Sequence, residues 1–128
     1  MKYLLDTHTA LWFVNEHEKL PIEVKKILLD NTNLFYISIA SAWEIAIKTS
    51  IGKLTEFKSG VKAFLAKIEN SPIEILPISP RYIETTETLP FIHRDPFDRL
   101  LVAAAKTDGF TILTADENIQ KYDVSWIW

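Results

Sequence analysis

Cysteine is absent from the 128 residues. Its absence excludes disulfide scaffolds, thiolate zinc sites, iron–sulfur clusters and cysteine nucleophiles, and it fits a reducing compartment such as the cytoplasm. Glycine is scarce as well. Gly52, Gly60 and Gly109 are the only three, too few and too scattered for a P-loop or a dinucleotide-binding fingerprint. No apolar run approaches the ~18 residues of a membrane span. The opening Met1–Asp6 breaks its short apolar run with an acid, which does not read as a signal peptide. A basic excess is also lacking: 14 Lys and Arg stand against 17 Asp and Glu, for a net charge of −3. Overall charge therefore gives no sign of a nucleic-acid partner, a polybasic anchor or an acidic tail. There is no repeat, low-complexity stretch or linker. With 48% hydrophobic and 24% charged residues, the composition predicts one globular domain over residues 1–128.

What is present is a recurrence of short, β-prone apolar runs. They are Tyr3–Leu5, Leu34–Ile37, Ile73–Leu76, Phe110–Leu113 and Val124–Ile127, and such runs suit strands buried on both faces. Helical spacing lies between them. Ile39, Ala42, Trp43, Ala46 and Ile47 form one stripe; Val61, Phe64, Leu65 and Ile68 a second; Phe97, Leu100, Leu101, Ala104 and Ala105 a third. A weaker pattern, Val24-Ile27-Leu28, follows Pro21, and Gly52 and Gly109 sit where two helices should stop. Alternating strands and helices predict a three-layer α/β/α sandwich on a mainly parallel sheet, with about five strands and six or seven helices. The first strand is expected at the centre, with Leu4 and Leu5 fully buried.

Open parallel sheets bind ligands beyond the carboxyl ends of their strands. Asp6 ends the first strand, Asp116 follows the fourth, Glu44 lies early in the helix after the second, and Asp95 and Asp98 open the helix before the fourth. Each acid also has a structural reading. Asp95-Pro96-Phe97-Asp98 is a good helix start. Ser41–Glu44 and Thr114–Glu117 read as capping boxes, and Glu44 with Lys48 as an i,i+4 pair. Asp6 could cap a helix beginning at Thr7, although an acid directly after a buried strand is costly without a partner. Convergence of several carboxylates would raise pKa values through mutual repulsion, which a divalent cation relieves. Oxygen-only donors suit Mg²⁺ or Mn²⁺, and such an ion can activate water and stabilise the leaving oxygen of a phosphodiester.

Four blocks occur in order: Tyr3-Leu4-Leu5-Asp6-Thr7-His8, Ser41-Ala42-Trp43-Glu44-Ile45, His93–Ala103, and Leu113-Thr114-Ala115-Asp116. Together they resemble the PIN domain, and most closely the VapC-type ribonuclease toxins of toxin–antitoxin pairs. The Arg-Asp-Pro-Phe-Asp-Arg-Leu-Leu stretch is the most specific of them, and the resemblance spans residue 3 to about 127. It implies a metal-dependent endoribonuclease that cuts RNA, often tRNA or ribosomal RNA, to inhibit translation. It places the family's acidic quartet on Asp6, Glu44, Asp98 and Asp116. Asp6 and Asp98 would hold Mg²⁺, with Mn²⁺ as a substitute, and Glu44 and Asp116 would complete the site. The implied products are a 5′-phosphate and a 3′-hydroxyl. Asp95 matches an extra acid of one subgroup, and Thr114 a small hydroxyl that orients a ligand or water. A homodimer and a small cognate antitoxin are further implications.

Lys48, Arg94 and Arg99 are candidates for contacting RNA phosphates or balancing the carboxylates; surface solvation or pairing with Glu44 and Asp95 is the alternative. His8, His17 and His93 are candidate bases with minor expected roles. The tryptophans Trp12, Trp43, Trp126 and Trp128, with Phe13, are expected in the core, or else in an antitoxin groove or a base-stacking surface. The competing function is a Mg²⁺-binding signalling or protein-interaction module without nuclease activity. Receiver-like domains would need paired acids after the first strand, which here ends in a single acid, and a phosphatase with an Asp-x-Asp nucleophile is disfavoured because residues 6–8 are Asp-Thr-His. Setting aside the four quartet carboxylates leaves 14 basic against 13 acidic residues, so the acidic excess belongs to the proposed site alone.

Overall fold

The computed structural model describes residues 1–16, 18–55 and 57–128; the candidate His17 lies outside them. Among the described residues, five strands and seven helices run in the order β1 (Lys2–Leu5), α1 (Thr7–Val14), α2 (Ile22–Leu29), β2 (Leu34–Ser38), α3 (Ile39–Ser50), α4 (Gly60–Glu69), β3 (Ile73–Leu76), α5 (Pro80–Thr88), α6 (Pro96–Asp108), β4 (Thr111–Leu113), α7 (Glu117–Gln120) and β5 (Trp126–Ile127). The sheet is parallel throughout, in the order β3-β2-β1-β4-β5. β1 is central, paired Leu5 to Ile37 on one side and Leu5 to Leu113 on the other.

Two cores follow from the alternation of side chains across the strands. Tyr3, Leu5, Phe35, Ile37 and Leu113 face α1–α4 and pack on Leu11, Val24, Ile45, Phe64 and Ile68. Leu4 and Ile112 face the opposite layer, against Tyr82, Leu101–Ala105 and Ile119 of α5–α7. Leu4 and Leu5 are both fully buried, as the sequence predicts. Truncating either to alanine should cost about 2–5 kcal/mol.

The outer strands depart from expectation. The runs Ile73–Leu76 and Val124–Ile127 read as buried on both faces, yet β3 and β5 are the sheet edges. Ile75 remains 43% exposed there, and Trp126 is exposed too. An edge strand has a neighbour on one side only, so fewer helices cover it.

Helix ends follow local chemistry. α6 begins with Asp95 as N-cap and Pro96 at the first position, and stops at Gly109, whose φ of 72° is the left-handed conformation glycine tolerates. α5 shows no apolar stripe and buries only Tyr82. Its local signal is Ser79-Pro80, in which the Ser79 side chain accepts from the Arg81 N–H. No described helix is long and apolar enough to cross a membrane.

Candidate functional site

β1 and β4 lie side by side and release Asp6 and Thr114 at the same edge of the sheet. β2, on the other side of β1, passes directly into α3, which carries Glu44 in its second turn. From β1 the chain goes to β2 on one side and later returns to β4 on the other. This edge is therefore a topological switch point.

Three of the acids begin helices, each using one carboxylate oxygen. Asp6 Oδ1 accepts from the Thr9 N–H at 2.7 Å. Asp95 Oδ1 accepts from Phe97 and Asp98 at 2.8 and 3.3 Å. Asp116 Oδ1 accepts from Asn118 and Ile119 at 2.7 and 3.3 Å. Asp116 rather than Thr114 is therefore the N-cap of α7, and the capping box expected over Thr114–Glu117 does not form. The second oxygen of Asp6 accepts from the Thr114 hydroxyl, which in turn accepts from the Asp116 N–H at 3.0 Å. Thr114 therefore ties Asp6 to Asp116.

Glu44 differs from its capping-box reading. α3 starts at Ile39 with Ser38 as its cap, so Ser41 already lies in the first turn and caps nothing. Glu44 instead turns towards the end of β1. Thr7 Oγ1 donates to Glu44 Oε1 at 2.6 Å and lies 3.0 Å from Ser41 Oγ. Lys48 donates to Glu44 Oε2 at 2.7 Å, which is the expected i,i+4 pair. Thr7 was not singled out by the sequence, and its adjacency to Asp6 was the available signal. Asp6, Thr7, Ser41, Glu44 and Thr114 are all buried.

The electrostatics record the convergence. Burial pushes the Asp6 carboxyl above its ordinary value, partly opposed by hydrogen bonds from Thr114 and Thr9 and by His8. Asp98 is pushed up to about 8, first by burial and then by the charges of Asp95, Asp116, Glu44 and Asp6. The four quartet acids and Asp95 therefore share one electrostatic neighbourhood. Burial acts against the Lys48 charge, but the hydrogen bond to Glu44, with the charges of Glu44, Asp95 and Asp98, moves its pKa upwards on balance.

The tightest donor group is narrower than the quartet. One ligand atom each from His93, Asp95 and Asp98 lie within 4.8 Å of one another, and no other three such groups among the described residues come that close. His93 Nε2 is 3.3 Å from Asp98 Oδ2.

The remaining candidates lie around this centre. Arg99 directs its guanidinium at backbone carbonyls and a tyrosine hydroxyl: Nη1 donates to Pro90 O at 3.1 Å and to Tyr122 Oη at 3.2 Å, and Nη2 to Thr86 O at 2.9 Å. It also stacks over Phe91 at 4.7 Å. Arg94 and His8 are exposed. Trp12 and Trp128 pack together at 5.6 Å against the core, whereas Trp43 is 63% exposed and meets Phe97 edge-on at 5.6 Å, bridging α3 and α6 beside Glu44 and Asp98. Core packing thus accounts for Trp12 and Trp128 and not for Trp43. Away from the carboxylates, an apolar cleft of about 640 Å³ between α1, α2 and α4 is lined by Phe13, Val14, Leu20, Leu28 and Leu29, with Lys25 and Lys67 among its polar residues.

A family model for the PIN domain matches residues 3–125. Among solved structures, the chain is similar to one in VapBC2 from Rickettsia felis bound to a DNA fragment from its promoter, with 19% identity, a TM-score of 0.75, and coverage of 100% of this chain and 99% of that one. It is also similar to a chain of DNA-bound VapBC from Salmonella typhimurium, at 17% identity and a TM-score of 0.69, covering 99% and 97%. A chain of FitAcB from Neisseria gonorrhoeae shows 18% identity and a TM-score of 0.66, covering 98% and 96%. No curated protein sequence matches the chain.

Proposed function

The chain belongs to the PIN domain family, and from that premise we propose that it is a VapC-type toxin, a divalent-metal-dependent endoribonuclease that cuts RNA to inhibit translation. Residues 1–128 form one such domain in this reading, acting in the cytoplasm as a homodimer and restrained by a small antitoxin. The observation that carries the reading is the Asp98 carboxyl, pushed to about 8 by burial and by four other acids gathered at the switch point of the sheet. An enzyme places repelling carboxylates together where a cation is to be held.

The donor set fits such an ion. Asp6, Glu44, Asp98 and Asp116 offer hard oxygen ligands, and no cysteine competes for a softer metal. Asp6 and Asp98 would hold Mg²⁺ or Mn²⁺, with Glu44 and Asp116 completing the site. When bound, the ion supplies polarisation of water and charge stabilisation at the phosphodiester. The protein's own groups orient the rest. Thr114 fixes Asp6 against Asp116, and Thr7 with Lys48 fixes both oxygens of Glu44. Glu44 or Asp116 then accepts the proton of the water that attacks phosphorus in line, the P–O3′ bond breaks, and the departing 3′-oxygen takes a proton from solvent to become the 3′-hydroxyl.

The similarity to chains of toxin–antitoxin complexes supports an antitoxin partner. The cleft between α1, α2 and α4 suits an apolar segment of such a partner. The exposed Trp43 beside the acids suits base stacking. The test is RNA hydrolysis by the purified protein. Activity that needs Mg²⁺ or Mn²⁺, disappears with chelator and is lost in Asp6→Asn supports the reading; cleavage by Asp6→Asn at the wild-type rate overturns it.

A further inference from the structure

We infer that His93 is itself a ligand of this metal centre, through Nε2, and that it moves the site's preference from Mg²⁺ towards transition ions such as Mn²⁺. The inference rests on the metal-site reading above and assigns a residue that the acidic quartet leaves out.

The geometry supports it from three directions. First, the closest group of donors includes the imidazole: His93, Asp95 and Asp98 each place one ligand atom within 4.8 Å of the others. Second, Asp95 and Asp98 are held in place by the start of α6. Asp95 caps the helix through Oδ1, and Asp98 follows three residues later on the same face. Third, the backbone of His93 is gripped on both of its polar groups. Its N–H donates to Tyr122 Oη at 3.0 Å, and the same hydroxyl donates to the His93 carbonyl at 3.4 Å. Tyr122 is buried, and Arg99 holds its hydroxyl as well as the Pro90 carbonyl three residues before His93.

A histidine that merely solvates the surface needs no such scaffold. The His93 side chain is 31% exposed and aimed at Asp98 Oδ2 at 3.3 Å, on the side where the other acids gather. A backbone held by Tyr122, a partly sheltered ring, a carboxylate fixed by capping and a second one on the first turn of the same helix are the features of a preorganised ligand set. An imidazole nitrogen among oxygen donors favours first-row transition ions over Mg²⁺, which keeps to oxygen and water. Arg99 and Tyr122 act as positioning residues for that ring.

The experiment is electron spin-echo spectroscopy of Mn²⁺ added to the metal-free protein, with Mn²⁺ and Mg²⁺ affinities measured by calorimetry and folding checked by circular dichroism. The wild type should show nitrogen modulation on Mn²⁺, and His93→Gln should lose it. Mn²⁺ affinity should fall by at least about tenfold, the lower range for losing even an outer-sphere partner of a metal, and Mg²⁺ affinity by less. A His8→Gln, His17→Gln protein labelled with ¹⁵N-histidine should show ¹⁵N frequencies, which tests the ligand without altering His93. Bound Mn²⁺ with no nitrogen modulation, or modulation that survives His93→Gln, overturns the inference and leaves the metal-site reading standing. A wild-type protein that binds no Mn²⁺ overturns both.

Discussion

Helix α6 carries an aspartate near each end, and the two live under opposite conditions. Asp98 sits in the first turn, where the helix dipole favours a negative charge. Asp108 sits in the last turn, where the dipole opposes one. On that basis alone Asp98 should be the more comfortable acid. The surroundings reverse the order. Asp108 accepts from the Tyr82 hydroxyl and faces Arg81 Nη1 at 3.7 Å, and Thr85 and Thr107 join their hydroxyls nearby at 3.0 Å. Asp98 has His93 beside it and four carboxylates around it, and its pKa rises to about 8. A dipole worth a fraction of a kcal/mol to about 1 kcal/mol is outweighed by burial and like charge. One end of the helix spends its acid on the fold; the other holds an acid that the fold alone does not satisfy.

The contrast is tested most strongly by neutralising each end. Asp98→Asn should lower RNA cleavage by about 10²–10³-fold, the scale of removing one electrostatic contact to a transition state, and should leave the fold intact in circular dichroism. Asp108→Asn should leave cleavage unchanged. Equal losses from the two variants would erase the distinction.

The pH response comes next. In metal-free protein the folded Asp98 holds its proton up to about 8, whereas in the unfolded chain it is released near the ordinary aspartate value of 3.8. Stability from this group is therefore full below about 4 and is lost as pH rises towards 8. Thermal melts of the metal-free protein should show a melting temperature that falls across that range, and a flatter profile in Asp98→Asn. A profile that rises with pH and is unaffected by the variant would contradict the assignment.

At the other end, burial and the hydrogen bond to Asp108 push the Tyr82 hydroxyl up to about 12. Tyr82→Phe removes that bond and should cost about 1–2 kcal/mol, read from denaturant unfolding, with no change in metal binding. The smallest effect is at Gly109, which ends α6 at φ 72° with nothing within 4 Å of an added Cβ. Gly109→Ala meets backbone strain and no clash, and should cost about 1 kcal/mol.

The sequence made much of this legible where the signal was local. The five apolar runs became the five strands, and the stripes from Ile39, Val61 and Phe97 became α3, α4 and α6. The acids of the site were visible because each stands next to a strand end or a helix start. What escaped was non-local or unpatterned. α5 is mostly polar and packs through one buried tyrosine, so no apolar stripe announces it. Ser41 and Glu44 fit a capping box by spacing, but α3 had already begun, and it is the start of α1, 37 positions away, that supplies Thr7 to Glu44. The exposure of Ile75 and Trp126 depends on sheet order, which short apolar runs do not encode. The hold of Arg99 and Tyr122 on the segment before α6 joins residues 23 positions apart, so His93 read as a minor candidate.

The central claim is that the Asp98 end of α6 binds a divalent cation and the Asp108 end does not. Calorimetric titration of metal-free protein with Mn²⁺ near pH 7, in buffers of different ionisation enthalpy, tests it directly. The account predicts saturable binding with proton release, because the cation displaces the Asp98 proton into the buffer. It predicts loss of that binding in Asp98→Asn and its retention in Asp108→Asn. Binding that survives Asp98→Asn, or that is abolished by Asp108→Asn, would contradict it.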